Sequence, residues 1–322
     1  MPRTIMGYVV QFTGLHQAGL ALLSVAVFLL SAVPLELQRR IVNDVIGRGS
    51  FEVLFWLAAT YALVAVAEQS LKFVLNIYRG WVAESTVCRL RSGVRGIGVA
   101  ADLSTGSHAD TGVEVAMILE EAEPIGGFTG ISISEPLLQG GILVSVTGYM
   151  FYIEPELALL GLTFFVPQIV LVPLLQLAIN RRAEARILTK REISGTIVEG
   201  AFPQGHVLED APIRRVFELN MGIYRLKYGM NLLMNLMHHL SVAVALCVGG
   251  WLATEGRIEV GTVVAIVGGL GKLNDPWGDL VNWAREFSVV GVKYRLFADA
   301  ASRLVPSMTA KAARRMVASP PT

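Results

Sequence analysis

Apolar and polar residues follow one another along this chain in long blocks. Nearly continuous apolar stretches occupy residues 17–37, 53–75, 131–152, 157–179, 232–254 and 261–283. Each is long enough to cross a bilayer as a helix, which takes roughly 20 residues for about 30 Å of hydrocarbon. The pattern predicts an all-α membrane protein with six transmembrane helices. Glu154-Pro155-Glu156 alone separates the third and fourth stretches, residues 255–260 the fifth and sixth, and residues 43–52 the first and second. Connections this short force antiparallel neighbours.

The two other connections, 76–130 and 180–231, are long, polar and basic, yet they keep a helical pattern. Residues 181–198 and 213–228 carry apolar positions at helical spacing with few breakers, so the fourth and fifth spans are expected to run on beyond the membrane. An unbroken helix from Leu157 to Ala201 would reach about 65 Å at about 1.5 Å per residue. Gly200, Pro203, Gly205 and Pro212 cluster around residues 204–211, where the chain must turn back. Residues 104–112 occupy the corresponding place in the first connection. Two long helical hairpins, each tipped by a short transverse element, form a lever arrangement.

Composition agrees with the block pattern. Hydrophobic residues make up 53% of the 322 and charged residues 16%, against about 25% charged in a soluble domain. The net charge of +1 says little, because the charges are segregated. Residues 18–33 carry none, and 181–191 carry five basic ones. Placing the long connections and both termini in the cytosol leaves only Arg39, Arg40, Arg48 and Arg257 outside, with Lys72 and Lys272 inside spans. The other 21 of the 27 Lys and Arg then face the cytosol, as the positive-inside rule requires. A multi-pass protein of the inner membrane is expected. The apolar run from Ala18 has only Arg3 as a basic flank and continues through Pro34 into an amphipathic segment at 35–45. It reads as a retained helix and not a cleaved signal. Cys88 and Cys247 lie in unlike surroundings, and neither has a metal-ligating neighbour at useful spacing.

Charged groups inside a bilayer are functional candidates by default, because they are costly to place there. Lys272, Asp275, Asp279, Asn282 and Glu286 recur at spacings of three and four, which would put all five on one face of the sixth span. Asn231, Asn235 and His238 do the same in the fifth, and Glu68, Lys72, Asn76 and Arg79 in the second. Two readings stand: the stripes line a wet cavity that contacts a polar substrate, or they form interhelical ion pairs. The candidate pathway residues are Glu68, Lys72, Asn235, His238, Lys272, Asp275, Asp279 and Asn282. His238 and His239 point about 100° apart on a helix and cannot share one metal ion; no metal site is expected. Glu120-Glu121 sits on a polar segment and reads as solvated, so no catalytic residue is assigned. Gly268-Gly269-Leu270-Gly271-Lys272 has the glycines and lysine of a phosphate loop, but Leu273 stands where Ser or Thr would bind magnesium. The glycines read better as close helix contacts.

Several short motifs, taken in order, carry a resemblance. They begin with amphipathic residues 5–12, then Pro34-Leu35 and Ile41-Val42-Asn43-Asp44. Thr111-Gly112 follows, with Ile118-Leu119-Glu120-Glu121, and then Glu199 with Gly205. The last are Ile258-Glu259-Val260-Gly261-Thr262-Val263, Pro276 and Arg295. In this order and spacing the chain resembles the transmembrane domain of ABC exporters, over residues from about 5 to 305. It departs from the family at Gly106-Ser107-His108-Ala109-Asp110, where an aromatic pair is usual.

The resemblance implies a transmembrane domain at 1–305 with an elbow helix at 5–12, and a disordered cytosolic tail at 306–322. It implies an exporter subunit that forms the translocation pathway and couples to a separate ATPase subunit, which holds the ATP and Mg. This chain would bind no cofactor. Ser107, His108 and Asp110 at the first turn, and Gln204, His206, Glu209 and Asp210 at the second, would dock on that ATPase. The other partners implied are a second copy or a homologous subunit, and lipid; no nucleic acid is expected. The alternative is a membrane sensor or accessory protein that kept the scaffold without transporting. A proton-coupled carrier using Asp275 and Asp279 would leave the long levers unexplained.

Overall fold

The structure, a computed structural model, describes residues 2, 4–47, 49–105, 122–198 and 210–318. Side chains at 94–105, 191, 192, 194–198, 210, 296 and 299–318 fall outside that description. The helices are α1 (Ile5–Ser31), α2 (Val33–Ile46), α3 (Phe51–Thr105), α4 (Ala122–Ile131) and α5 (Ser134–Ile153), then α6 (Pro155–Thr163), α7 (Val166–Val198), α8 (Asp210–Thr254), α9 (Val260–Gly271) and α10 (Asn274–Ala318). No strand occurs among the described residues. The protein is an all-α, multi-pass membrane protein, and the described residues include five helical stretches long and apolar enough to cross a membrane.

Proline sets most of the breaks. Pro34, Pro136, Pro155, Pro167 and Pro276 each fall within the first three residues of a helix. There the missing N–H has no intrahelical acceptor to lose, and the fixed φ suits the turn. The breaks change three expected boundaries. Residues 5–12 are not a separate elbow but the start of the 27-residue α1, and the interruption comes at Ala32, ahead of Pro34. The fourth span is cut at Phe164-Phe165, ahead of Pro167. The expected sixth span at 261–283 is cut at Lys272-Leu273, ahead of Pro276, and is not among the five stretches. α9 has 12 residues, about 18 Å of helix, which is too short to cross alone. At the far end α10 continues to Ala318, so the helix extends into the segment expected to be a disordered tail.

The long helices match the lever expectation. α3 has 55 residues, α7 33 and α8 45. At about 1.5 Å each these span roughly 82, 50 and 68 Å, all well beyond the hydrocarbon. The turns at their far ends, 106–121 and 199–209, lie outside the described residues.

The described chain forms two compact units. The first contains Met1–Val146 and Asp275–Thr322. Here α4 packs antiparallel on α3, with α1 and α2 also against α3. Glycine makes the α3–α4 contact close, because a Cβ at Gly130 would collide with the backbone carbonyl of Arg79. Small residues serve this purpose where lipid supplies no hydrophobic drive. Buried hydroxyls and amides add interhelical bonds: Gln17 Nε2 donates to the Thr129 carbonyl at 2.7 Å and Ser24 Oγ to that of Ser134 at 3.2 Å. An apolar cluster of Ile5, Tyr8, Val9, Leu90, Ile125, Phe128, Val290, Tyr294 and Phe297 anchors the start of α1. The Tyr294 hydroxyl donates to the Pro2 carbonyl at 2.9 Å. Burial, and secondarily Tyr8, push this phenol up to about 12, so it keeps its donor proton at neutral pH.

The second unit is Thr147–Asn274. Its frame is the antiparallel pair α7 and α8, with α6 and α9 packed on α8. Arg186 Nη1 donates to Asn220 Oδ1 at 3.1 Å and Arg182 Nη1 to the Gly222 carbonyl at 3.4 Å, tying the two levers beyond their apolar portions.

Candidate functional site

In the first unit one cluster of charged side chains grows out of α3. Glu68 and Lys72, a turn apart, form an ion pair of 2.6 Å. Helical spacing alone delivers this contact. Glu68 is buried and Lys72 half-buried. Two turns further on, Arg79 is 8% exposed. Its Nη1 meets Glu135 Oε2 at 2.6 Å, its Nε donates to Ser134 Oγ at 2.8 Å, and Asn76 Oδ1 lies 3.5 Å from Nη1. Its Nη2 has no hydrogen-bond partner among the described residues.

The cluster continues through Gln139. Its Nε2 lies 2.9 Å from Glu135 Oε1 and 3.0 Å from Asp279 Oδ2, linking α5 to α10. Arg79, Glu135, Gln139 and Asp279 therefore form one polar chain across three helices of the unit. Two kinds of chemistry are available here. A guanidinium with an unused donor can accept a new oxygen partner, and exposed Asp279 can exchange Gln139 for a cationic or hydrogen-bonding group.

The expected stripe on the sixth span needs a correction. Lys272 lies in the turn between α9 and α10, its N–H bonded to the Gly268 and Gly269 carbonyls, so it does not share a helix face with Asp275 and Asp279. The 3.6-residue period cannot be carried across a break. Asp275, Asp279 and Asn282 remain on α10 and are exposed, and Glu286 is half-buried.

In the second unit Asn235 is exposed on α8, and His238 is half-buried. His238 lines a small cavity with Phe165, Gln168, Met237, Ser241, Leu270, Leu273 and Asn274. The rings of His238 and His239 are 5.4 Å apart and tilted by 51°. No group of three or more potential metal ligands occurs among the described residues.

Of the expected coupling residues, Ser107, His108, Asp110, Gln204, His206 and Glu209 lie outside the described residues. Asp210 opens α8, with its side chain undescribed. Sequence reasoning did not name Ser134, Glu135, Gln139 or Gln168 as site residues. Glu135 and Gln139 carried a signal, being polar residues a turn apart at the start of an apolar stretch.

A family model of the ABC transporter transmembrane region matches residues 18–202, more than half of the chain. No curated protein matches the sequence.

Proposed function

We propose that this chain, which belongs to the family of ABC transporter transmembrane regions, is the membrane-spanning subunit of an exporter driven by ATP bound on a partner subunit. As an ABC transporter membrane subunit it must supply a path through the bilayer and a mechanical link to the ATP-binding component. The length of α3, α7 and α8 supports this reading most directly. Helices of 55, 33 and 45 residues extend far past the membrane, and they transmit force only through their ends. No stretch of these 322 residues has the complete phosphate-binding loop sequence.

In this proposal the turns carrying Ser107, His108 and Asp110, and Gln204, His206, Glu209 and Asp210, dock on the ATPase. A second copy, or a homologue, completes the pathway. Both termini lie in the cytosol of an inner-membrane protein. ATP binding moves the lever tips, and the spans switch between inward and outward openings. Glu68, Lys72, Asn235, His238, Asp275, Asp279 and Asn282 contact the passing substrate. The polar chain from Arg79 to Asp279 re-pairs as the opening changes sides, with Asp279 on its accessible end.

Single cysteines at 275, 279 and 282 test this, in a variant lacking Cys88 and Cys247. In complex with the ATPase they should react with a membrane-impermeant thiol reagent from one side, and the reactive side should change with ATP. Cysteines replacing Leu273, which is buried, and Leu280 should stay protected. Cysteines at 110 and 210 should crosslink to the ATPase. Accessibility indifferent to ATP, or crosslinks confined to the external loops, would sink the exporter reading in favour of a sensor built on the same scaffold.

A further inference from the structure

Gln168 is the least expected residue in the second unit. It lies in the first turn of α7 and is 1% exposed, yet its Oε1 has no hydrogen-bond partner among the described residues. A buried carboxamide left unpaired is destabilising, and more so where the surroundings are hydrocarbon. Native structures therefore fill such positions with a partner, and the partner is often water.

The surroundings say what that partner is. Two helix interruptions line the same cavity. The break between α6 and α7 contributes Phe165 and Gln168, and the break between α9 and α10 contributes Leu270, Leu273 and Asn274. α8 closes it with Met237, His238 and Ser241. About 10 Å³ is open to the centre of a water-sized sphere, which is room for about one molecule. Four of the lining residues, Gln168, His238, Asn274 and Ser241, carry a polar side chain, and the Ser241 hydroxyl, whose proton goes to the Gly161 carbonyl, keeps its lone pairs as acceptors. A buried water needs two to four partners, and these supply them. Carboxylates are absent from the lining, which argues against a metal cation.

We propose that this cavity is a binding site for a single ordered water, held by Gln168, His238 and Asn274, that satisfies the buried amide where two interrupted spans meet. The water makes the paired breaks tolerable inside the membrane, since interrupted helices there rely on neighbouring side chains and ordered water to re-satisfy their polar groups. The test of this site needs neither a substrate nor the ATPase.

The test uses the full chain in lipid nanodiscs and Gln168→Met, which keeps the length of the side chain and deletes the amide. With a bound water, Gln168→Met lowers Tm by a few degrees, and Gln168→Met combined with His238→Phe loses less than the sum of the two. A dry cavity gives the opposite sign: deleting a partnerless amide raises Tm or leaves it unchanged, and the pair is additive. Should Gln168→Met fail to fold, radiolytic hydroxyl labelling of the unmodified chain decides. Water held in the cavity oxidises Met237 several-fold faster than Met234, which is also half-buried on α8 but does not line the cavity. Equal or slower labelling of Met237 overturns the proposal.

Discussion

Around Arg79 the first unit buries full charges and matches them, whereas around Gln168 the second unit buries a neutral amide with no partner at Oε1 among the described residues. The first arrangement depends on pairing, because a buried charge that loses its counter-ion has nowhere to send its field. The second depends on packing and on a small polar cavity, because a neutral group can be satisfied by one water. Mutations near Arg79 should therefore be punished for unpairing charges, and those in the second unit only for lost hydrogen bonds.

The largest expected effect is at the Arg79–Glu135 pair. Arg79→Leu strands Glu135 and should destabilise the chain by about 3–5 kcal/mol, read as a shift in the denaturation midpoint in nanodiscs. Adding Glu135→Leu should recover most of that loss, because two apolar side chains leave no charge behind. If the double variant were as unstable as Arg79→Leu alone, pairing would not explain the contact and the contrast with the second unit would fail.

Backbone proximity sharpens the contrast within one helix. Gly130→Ala drives a methyl group into the Arg79 carbonyl and should cost about 1–3 kcal/mol as overpacking. Gly127→Ala, on the same helix, meets nothing within 4 Å. It should be neutral or stabilising by up to about 1 kcal/mol, the helix-propensity gain of alanine over glycine. The two alanines should thus shift the midpoint in opposite directions.

What the sequence made legible was local. The Glu68–Lys72 pair follows from a spacing of four residues, and the long levers follow from helical periodicity that continues past the apolar stretches. Pro155 announced its break because polar residues flank it. Pro167 and Pro276 did not: Gln168 alone interrupts the apolar residues around the first, and the polar residues before the second, Lys272 and Asp275, continued a helical spacing, so the fourth and sixth spans looked continuous. Extending the 3.6-residue period through Pro276 is what put Lys272 on the wrong face. Apart from the Glu135–Gln139 step, the chain from Arg79 to Asp279 joins residues 56 or more positions apart, and no periodicity within one helix reports which helix lies opposite. The cavity was hidden for the same reason, since Gln168, His238 and Asn274 come from three segments.

The smallest expected effect is in the second unit, at Ser241. Its hydroxyl donates to the Gly161 carbonyl at 2.6 Å. Gly161 is in the last turn of α6, where carbonyls have no intrahelical N–H to accept from. Ser241 on α8 thus supplies the donor that the interrupted span lacks. Ser241→Ala removes it without changing charge, and hydrogen bonds between spanning helices average only about 0.6 kcal/mol. The midpoint should fall by that amount, several-fold less than for Arg79→Leu. Ser241→Thr keeps the hydroxyl and should lose less, unless the added methyl group crowds the buried site. A loss at Ser241→Ala as large as that at Arg79→Leu would mean that the carbonyl is stranded without water. The second unit would then be no more forgiving of lost polar partners than the first.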